Sequence, residues 1–203
     1  MNEQREKMIN LVYIDDKVDP MLDKYLNEDG LAILEQGSTY NSIRFEPSLS
    51  YTDLLRDKRI QEASIVIIDS QLFENSNADI KFSGEEVSLL FKKYYPFIET
   101  ILISQNDLNP DYSYVKKFYD RLNEDYISYY KEHLSQKIQI AHDRVIQSRL
   151  FLEKLKNNEE LDQCLKDRLI NSVNGIVEYD DLSKADIDNL IIAFKELENK
   201  IHA

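Results

Sequence analysis

Residues 63–69 read ASIVIID, and this run constrains the fold more than any other stretch. Ile65, Val66, Ile67 and Ile68 are consecutive and β-branched, so a strand built from them buries both faces instead of alternating one into solvent. Parallel sheets covered by helices on both sides do this. The run stops at Asp69, which places that carboxylate at the carboxyl edge of the sheet, where open α/β sheets bind their ligands.

Similar short apolar segments recur at residues 10–14, 43–46, 64–68, 100–104 and 126–130, separated by amphipathic stretches. The pattern predicts an α/β fold. Asp19 and Pro20 open a helix carrying Leu22, Tyr25 and Leu26, since proline lacks a donor that the first turn does not need. SLSYTDLLRDKRIQ predicts a second, short helix. After the polar insert FENSNADIKF, SGEEVSLLFKKYYP predicts a helix that Pro96 stops. Beyond residue 132 the strand-like runs cease, so the expected division is an α/β domain over 1–132 and an all-helical extension over 133–203.

In that extension Leu134, Ile138, Ala141, Val145, Ser148, Leu152 and Leu155 alternate at spacings of four and three. Such a seam serves either a coiled coil in a homodimer or packing within the chain. Leu161, Leu165 and Leu169 predict a shorter helix, and Ser183 with Asp186 caps a third pattern carrying Ile187, Leu190, Ile191, Phe194 and Leu197.

Charge and composition remove several functions. With 38 acidic against 25 basic residues the net charge is −13, which opposes nonspecific capture of nucleic acid. No zinc spacing, phosphate loop or basic recognition helix occurs, and His133, His142 and His202 form no ligand cluster. The lone Cys164 forms no internal disulfide, and neither a secretory pattern nor a bilayer-spanning apolar run occurs, so the expectation is a cytoplasmic protein.

The candidate chemistry lies at the ends of the apolar runs. LVYIDDKVDP sets Asp15 beside Asp16, and a parallel neighbour ending at Asp69 would bring a third carboxylate to them. Carboxylates with a carbonyl and waters can hold Mg2+, which offsets the charge of an incoming phosphoryl group, and Asp69 can be the nucleophile that becomes an aspartyl phosphate. The plainer role for each aspartate is a strand or helix cap. TILISQND ends its apolar run at Ser104, a donor to a phosphoryl oxygen, and DYISYYKE reaches Lys131, a cation for the same group or for Asp69. Acidic pair, single aspartate, hydroxyl and lysine thus follow separate runs.

In this ordered set the stretch from residue 8 to 132 resembles the receiver domain of bacterial two-component response regulators. The resemblance implies a doubly wound α/β domain with a sheet of five parallel strands, with Asp15 and Asp16 as the acidic pair, Asp69 as the phosphoacceptor, and Ser104 and Lys131 as switch residues. It also implies that Gln71 offers its backbone carbonyl to the metal and that Ser83 and Gly84 enter the helix after the phosphoacceptor loop. The implied activity is transfer of a phosphoryl group from a histidine kinase or small phosphodonor to Asp69, with Mg2+ bound, modulating a protein partner through the helical region. Four departures stand out. Gln105 follows Ser104 where a small residue is usual, Glu132 follows Lys131 where proline is usual, Leu72 and Phe73 replace methionine and proline, and Ser128 stands where an aromatic precedes the lysine by three. The alternatives are a phosphorylation-independent structural interaction module of receiver origin and, lower, a metal-dependent phosphatase or nuclease.

Overall fold

The computed structural model describes residues 8–46, 51–72, 83–105, 114–118, 125–157 and 162–173. Five parallel strands, β1 (Asn10–Asp15), β2 (Thr39–Arg44), β3 (Ile65–Asp69), β4 (Glu99–Ser104) and β5 (Tyr114–Lys116), form one sheet in the order β2-β1-β3-β4-β5. This is the flavodoxin-like doubly wound order. Helices α1 (Pro20–Tyr25), α2 (Tyr51–Arg56), α3 (Lys58–Gln61), α4 (Gly84–Tyr94), α5 (Tyr126–His133), α6 (Ser135–Lys156) and α7 (Gln163–Val173) complete the described elements, with a π-helical turn, Leu26–Gly30, continuing α1.

All five residues of β3 are buried, as the unbroken apolar run requires. Ile65 and Ile67 face one core with Leu11, Tyr13, Ile101, Ile103 and Val115, closed by Leu22, Tyr25 and Leu26 of the α1 region and by Tyr130 of α5. Val66 and Ile68 face the other, with Val12, Ile14 and Leu102, closed by Leu54 of α2, Ile60 of α3 and Val87 and Phe91 of α4. Alternation along each strand assigns its side chains to the two cores.

The helix starts follow their caps. Asp19 accepts the Met21 N–H at 2.9 Å ahead of Pro20. Ser83 and Glu86 form a reciprocal capping box on α4, which ends at Tyr94, two residues before Pro96. SLSYTDLLRDKRIQ makes two short helices instead of one, because Asp57 leaves helical geometry and caps α3 by accepting the Arg59 N–H at 2.9 Å.

Two strand expectations are corrected. β2 spans Thr39–Arg44 and not 43–46: it is an edge strand in which Ile43 alone is buried, so most of its length carries no apolar signal. The fifth strand is Tyr114–Lys116, while residues 126–130 lie in α5. Tyr126, Tyr129 and Tyr130 recur at helical spacing, and all three pack on the α1 side of the sheet.

Leu134, Ile138, Ala141, Val145 and Leu152 of the repeating seam are buried, the first four in the core with β1, β3 and β4. The seam is therefore used within the chain. Arg149 ties the same helix to the opposite end of the sheet, donating to the Met8 carbonyl at 2.9 Å and to Ser64 Oγ at 2.8 Å. The Leu161–Leu169 pattern corresponds to α7, whereas Leu161, the side chains of Leu165 and Leu169, and the Ser183–Leu197 pattern lie outside the described residues.

The loop leaving β3 turns against the start of α4. A Cβ on Gly84 would lie 2.2 Å from the Asp69 carbonyl oxygen and 2.9 Å from its carbon, so only glycine lets the backbone approach this closely. Gly84→Ala should lower stability by about 1–3 kcal/mol in urea denaturation, the usual range for overpacking against atoms that cannot easily move.

Candidate functional site

Strand register brings the carboxylates together. Ile14 is in register with Ile68, so Asp15 and Asp69 are the next residues on adjacent parallel strands, and Asp16 follows at the loop. Oxygens of Asp15, Asp16 and Asp69 lie within 4.8 Å of one another. Hard oxygen donors at this spacing fit a divalent cation such as Ca2+, Mg2+ or Mn2+.

Their shared cation is Lys117. Its buried ammonium donates to Asp15 Oδ2 at 2.7 Å and pairs with Asp69 Oδ2 at 2.9 Å. The backbone of β5 delivers it: Ser104 is in register with Lys116, and the Lys117 N–H donates to the Ser104 carbonyl at 2.7 Å. Burial pulls the Lys117 ammonium towards neutrality, but Asp69 and Asp15 outweigh it and hold its pKa above the ordinary value.

Asp15 is the most fully engaged of the three. Its Oδ2 accepts the Tyr13 hydroxyl as well as Lys117, and its Oδ1 accepts the Lys17 N–H at 2.9 Å. Asp69 is 7% exposed. Burial pushes its carboxyl up to about 6; Lys117 pulls it down, Asp15 pushes it up, and the Gln71 N–H favours the ionised form. Asp16, more open, is raised by burial and by Asp15, with Lys117 opposing. Ser104 is buried at the end of β4, beside Lys117 in the backbone ladder. Gln71 bridges to Ser83, between Asp69 and α4.

Lys131, the lysine expected here, is elsewhere. It lies on α5, 56% exposed, paired with Asp29 at 2.8 Å. Its expected strand is a helix, and helical geometry carries it to the surface near the end of the π-helical turn. Lys117 was missed because β5 has three residues and a single buried apolar side chain, Val115. One signal was present in DYSYVKKF: Tyr114 stands three residues before Lys117, the place of the aromatic that the receiver resemblance expects. Tyr114 donates its hydroxyl to Glu85 Oε1 at 2.5 Å, linking β5 to the first turn of α4. The residue after the relevant lysine is thus Phe118, and Glu132 is an exposed residue of α5.

No family model matches the chain, and no curated protein matches it. Among solved structures it has a distant match to RcsB from Salmonella enterica serovar Typhimurium, solved bound to promoter rprA in the presence of phosphomimetic BeF3−. The identity is 15%, the match covers 66% of this chain and 98% of that one, and the TM-score is 0.38. Among the described residues, no helix is long and apolar enough to cross a membrane.

The raised Asp69 carboxyl has a pH signature. Its folded value of about 6 lies above the ordinary 3.8, so between those values the folded state holds the proton more tightly and stability falls as pH rises. In chelated buffer, the stability difference between wild type and Asp69→Asn should move by on the order of 2 kcal/mol in favour of the variant from pH 4 to 7, then level off. Denaturant titrations across that range check it.

Proposed function

We propose that the chain is a phosphoacceptor regulator in which Asp69 takes a phosphoryl group and the change in charge is passed to a protein partner. The observation that supports this best is the bridge from Lys117 to both Asp15 and Asp69, at 2.7 and 2.9 Å, in a corner that Asp16 completes as a donor set for a divalent cation. A single-purpose cap would not need a buried lysine delivered from a separate strand.

In this reading an oxygen of Asp69 forms the new bond to phosphorus while the P–N bond of a kinase phosphohistidine, or the P–O bond of a small phosphodonor, breaks and its electrons leave with the donor. Asp15 and Asp16 would hold Mg2+ with Asp69 and the Gln71 carbonyl; when bound, the cation offsets phosphoryl charge. Lys117 would exchange its bonds to Asp15 and Asp69 for one to a phosphoryl oxygen, and the Ser104 hydroxyl would turn to donate to another. Movement at Ser104 and Lys117 is felt by β5 and so by Tyr114 and its bond to Glu85. The partner reading draws support from Leu150 and Phe151, 53% and 56% exposed on α6. The net charge of −13 favours a protein over nucleic acid.

A module that binds its partner without phosphorylation is the second reading. One observation favours it: Asp69 is almost fully buried.

The full chain treated with Mg2+ and acetyl phosphate should gain one phosphoryl adduct by intact-mass analysis. Asp69→Asn should gain none, and Asp16→Asn or chelation should slow the gain by at least about tenfold. No adduct under conditions that modify a control receiver would overturn the phosphoacceptor reading in favour of the second.

A further inference from the structure

Tyr13 is wholly buried in β1, two residues before Asp15 and on the same side of the strand. Apolar neighbours surround its ring: Leu11, Ile67 and Ile103 of the sheet belong to the same core. Leucine or valine would fill such a position with no polar atom to satisfy. Instead, the hydroxyl reaches the sheet's edge, donates to Asp15 Oδ2 and accepts the Asp19 N–H at 3.4 Å. The recipient is the oxygen that also binds Lys117. A chain of side chains therefore runs from Tyr13 through Asp15 and Lys117 to Asp69.

This arrangement matters when Lys117 moves. A carboxylate as buried as Asp15, 1% exposed, depends on each donor it keeps when Lys117 leaves, even where a bound Mg2+ would share its charge. If Lys117 turns to a phosphoryl oxygen, Asp15 keeps the Tyr13 hydroxyl on Oδ2 and the Lys17 N–H on Oδ1. Only the first is a side chain, and it binds the same oxygen that Lys117 vacates.

We propose that Tyr13 is a positioning residue for this site: it fixes the Asp15 carboxylate and keeps it hydrogen-bonded while Lys117 transfers from Asp15 and Asp69 to the incoming phosphoryl group. The proposal rests on the phosphoacceptor reading of Asp69. In the step concerned, an Asp69 oxygen bonds phosphorus as the phosphodonor's P–O bond breaks, and no proton or electron passes through Tyr13. Tyr13 touches neither phosphodonor nor phosphorus, so its loss acts through Asp15 and Lys117.

The test compares wild type with Tyr13→Phe, which keeps the ring in the core. Tyr25→Phe serves as control, because its hydroxyl, in the same core, bonds Ser135 Oγ at 2.8 Å instead. With acetyl phosphate and saturating Mg2+, Tyr13→Phe should lower the maximal rate of adduct formation about tenfold, the scale of one hydrogen bond to a charged group. The half-saturating phosphodonor concentration should stay within about twofold, and Tyr25→Phe should match wild type in both. A second measurement needs no phosphorylation. In the Lys117→Met, Asp69→Asn background, Tyr13→Phe should raise the unfolding equilibrium constant about tenfold more than it does alone, because Tyr13 is then the remaining side-chain donor on Asp15. An unchanged maximal rate, or equal losses for Tyr13→Phe and Tyr25→Phe, would overturn the proposal. If wild type gains no adduct, the reading of Asp69 fails, and the stability comparison alone decides for Tyr13: an additive result rejects it.

Discussion

The ion bridge at Lys117 is the interaction on which the rest of this corner depends. Three carboxylates meet where β1 and β3 end, with Asp15 and Asp69 almost wholly removed from water. Without a cation their mutual repulsion and desolvation would favour protonation or opening of the edge. One ammonium, bonded at 2.7 and 2.9 Å, binds two of them, and the Tyr13 hydroxyl with the Lys17 N–H takes up the remaining demand of Asp15. The residual proton affinity appears at Asp69, raised to about 6 because Lys117 offsets burial only in part.

The scaffold around the bridge delivers each member by a separate device. Unbroken apolar runs drive β1 and β3 into the sheet and set their ends level. Gly84 lets α4 begin against the Asp69 carbonyl, and the Ser83–Glu86 capping box fixes that start. On the other face α6 buries Ile138, Ala141 and Val145 over the sheet, so residues beyond 133 share its core. The short β5 is the weak member by burial, with Val115 its one fully buried apolar side chain, yet it carries Lys117. Its place depends on ladder bonds to β4 and on the Tyr114–Glu85 contact as much as on packing.

What the sequence makes legible follows from this division. Asp15, Asp69 and Ser104 are legible because each ends a buried strand whose apolar run marks it, and Asp16 follows Asp15 directly. Lys117 is not, because a three-residue edge strand with one buried side chain leaves almost no hydrophobic signature. The tyrosine-rich YISYY offered a false one: in a five-residue window, aromatic residues at helical spacing and an apolar strand look alike. The spacing of Tyr114 and Lys117, three residues apart, carries a signal that the apolar runs do not. The seam in α6 posed a different ambiguity. Its periodicity states that one face is buried but not by what, and the sheet proves to be the answer. Tyr13 could be placed in a strand but not assigned a role, since the length of a tyrosine side chain relative to the sheet's edge has no counterpart in the pattern.

The most direct measurement of the central claim is chemical denaturation of Lys117→Met in chelated buffer near pH 7, alongside Lys131→Met and the Lys117→Met, Asp69→Asn double variant. If Lys117 holds the carboxylate corner, its loss should cost roughly 3–5 kcal/mol, the range for breaking one side of a buried ion pair. Removing the Asp69 charge should recover part of that loss, and Lys131→Met should be indistinguishable from wild type. A Lys117→Met protein as stable as wild type, or one that Asp69→Asn destabilises further, would contradict the account.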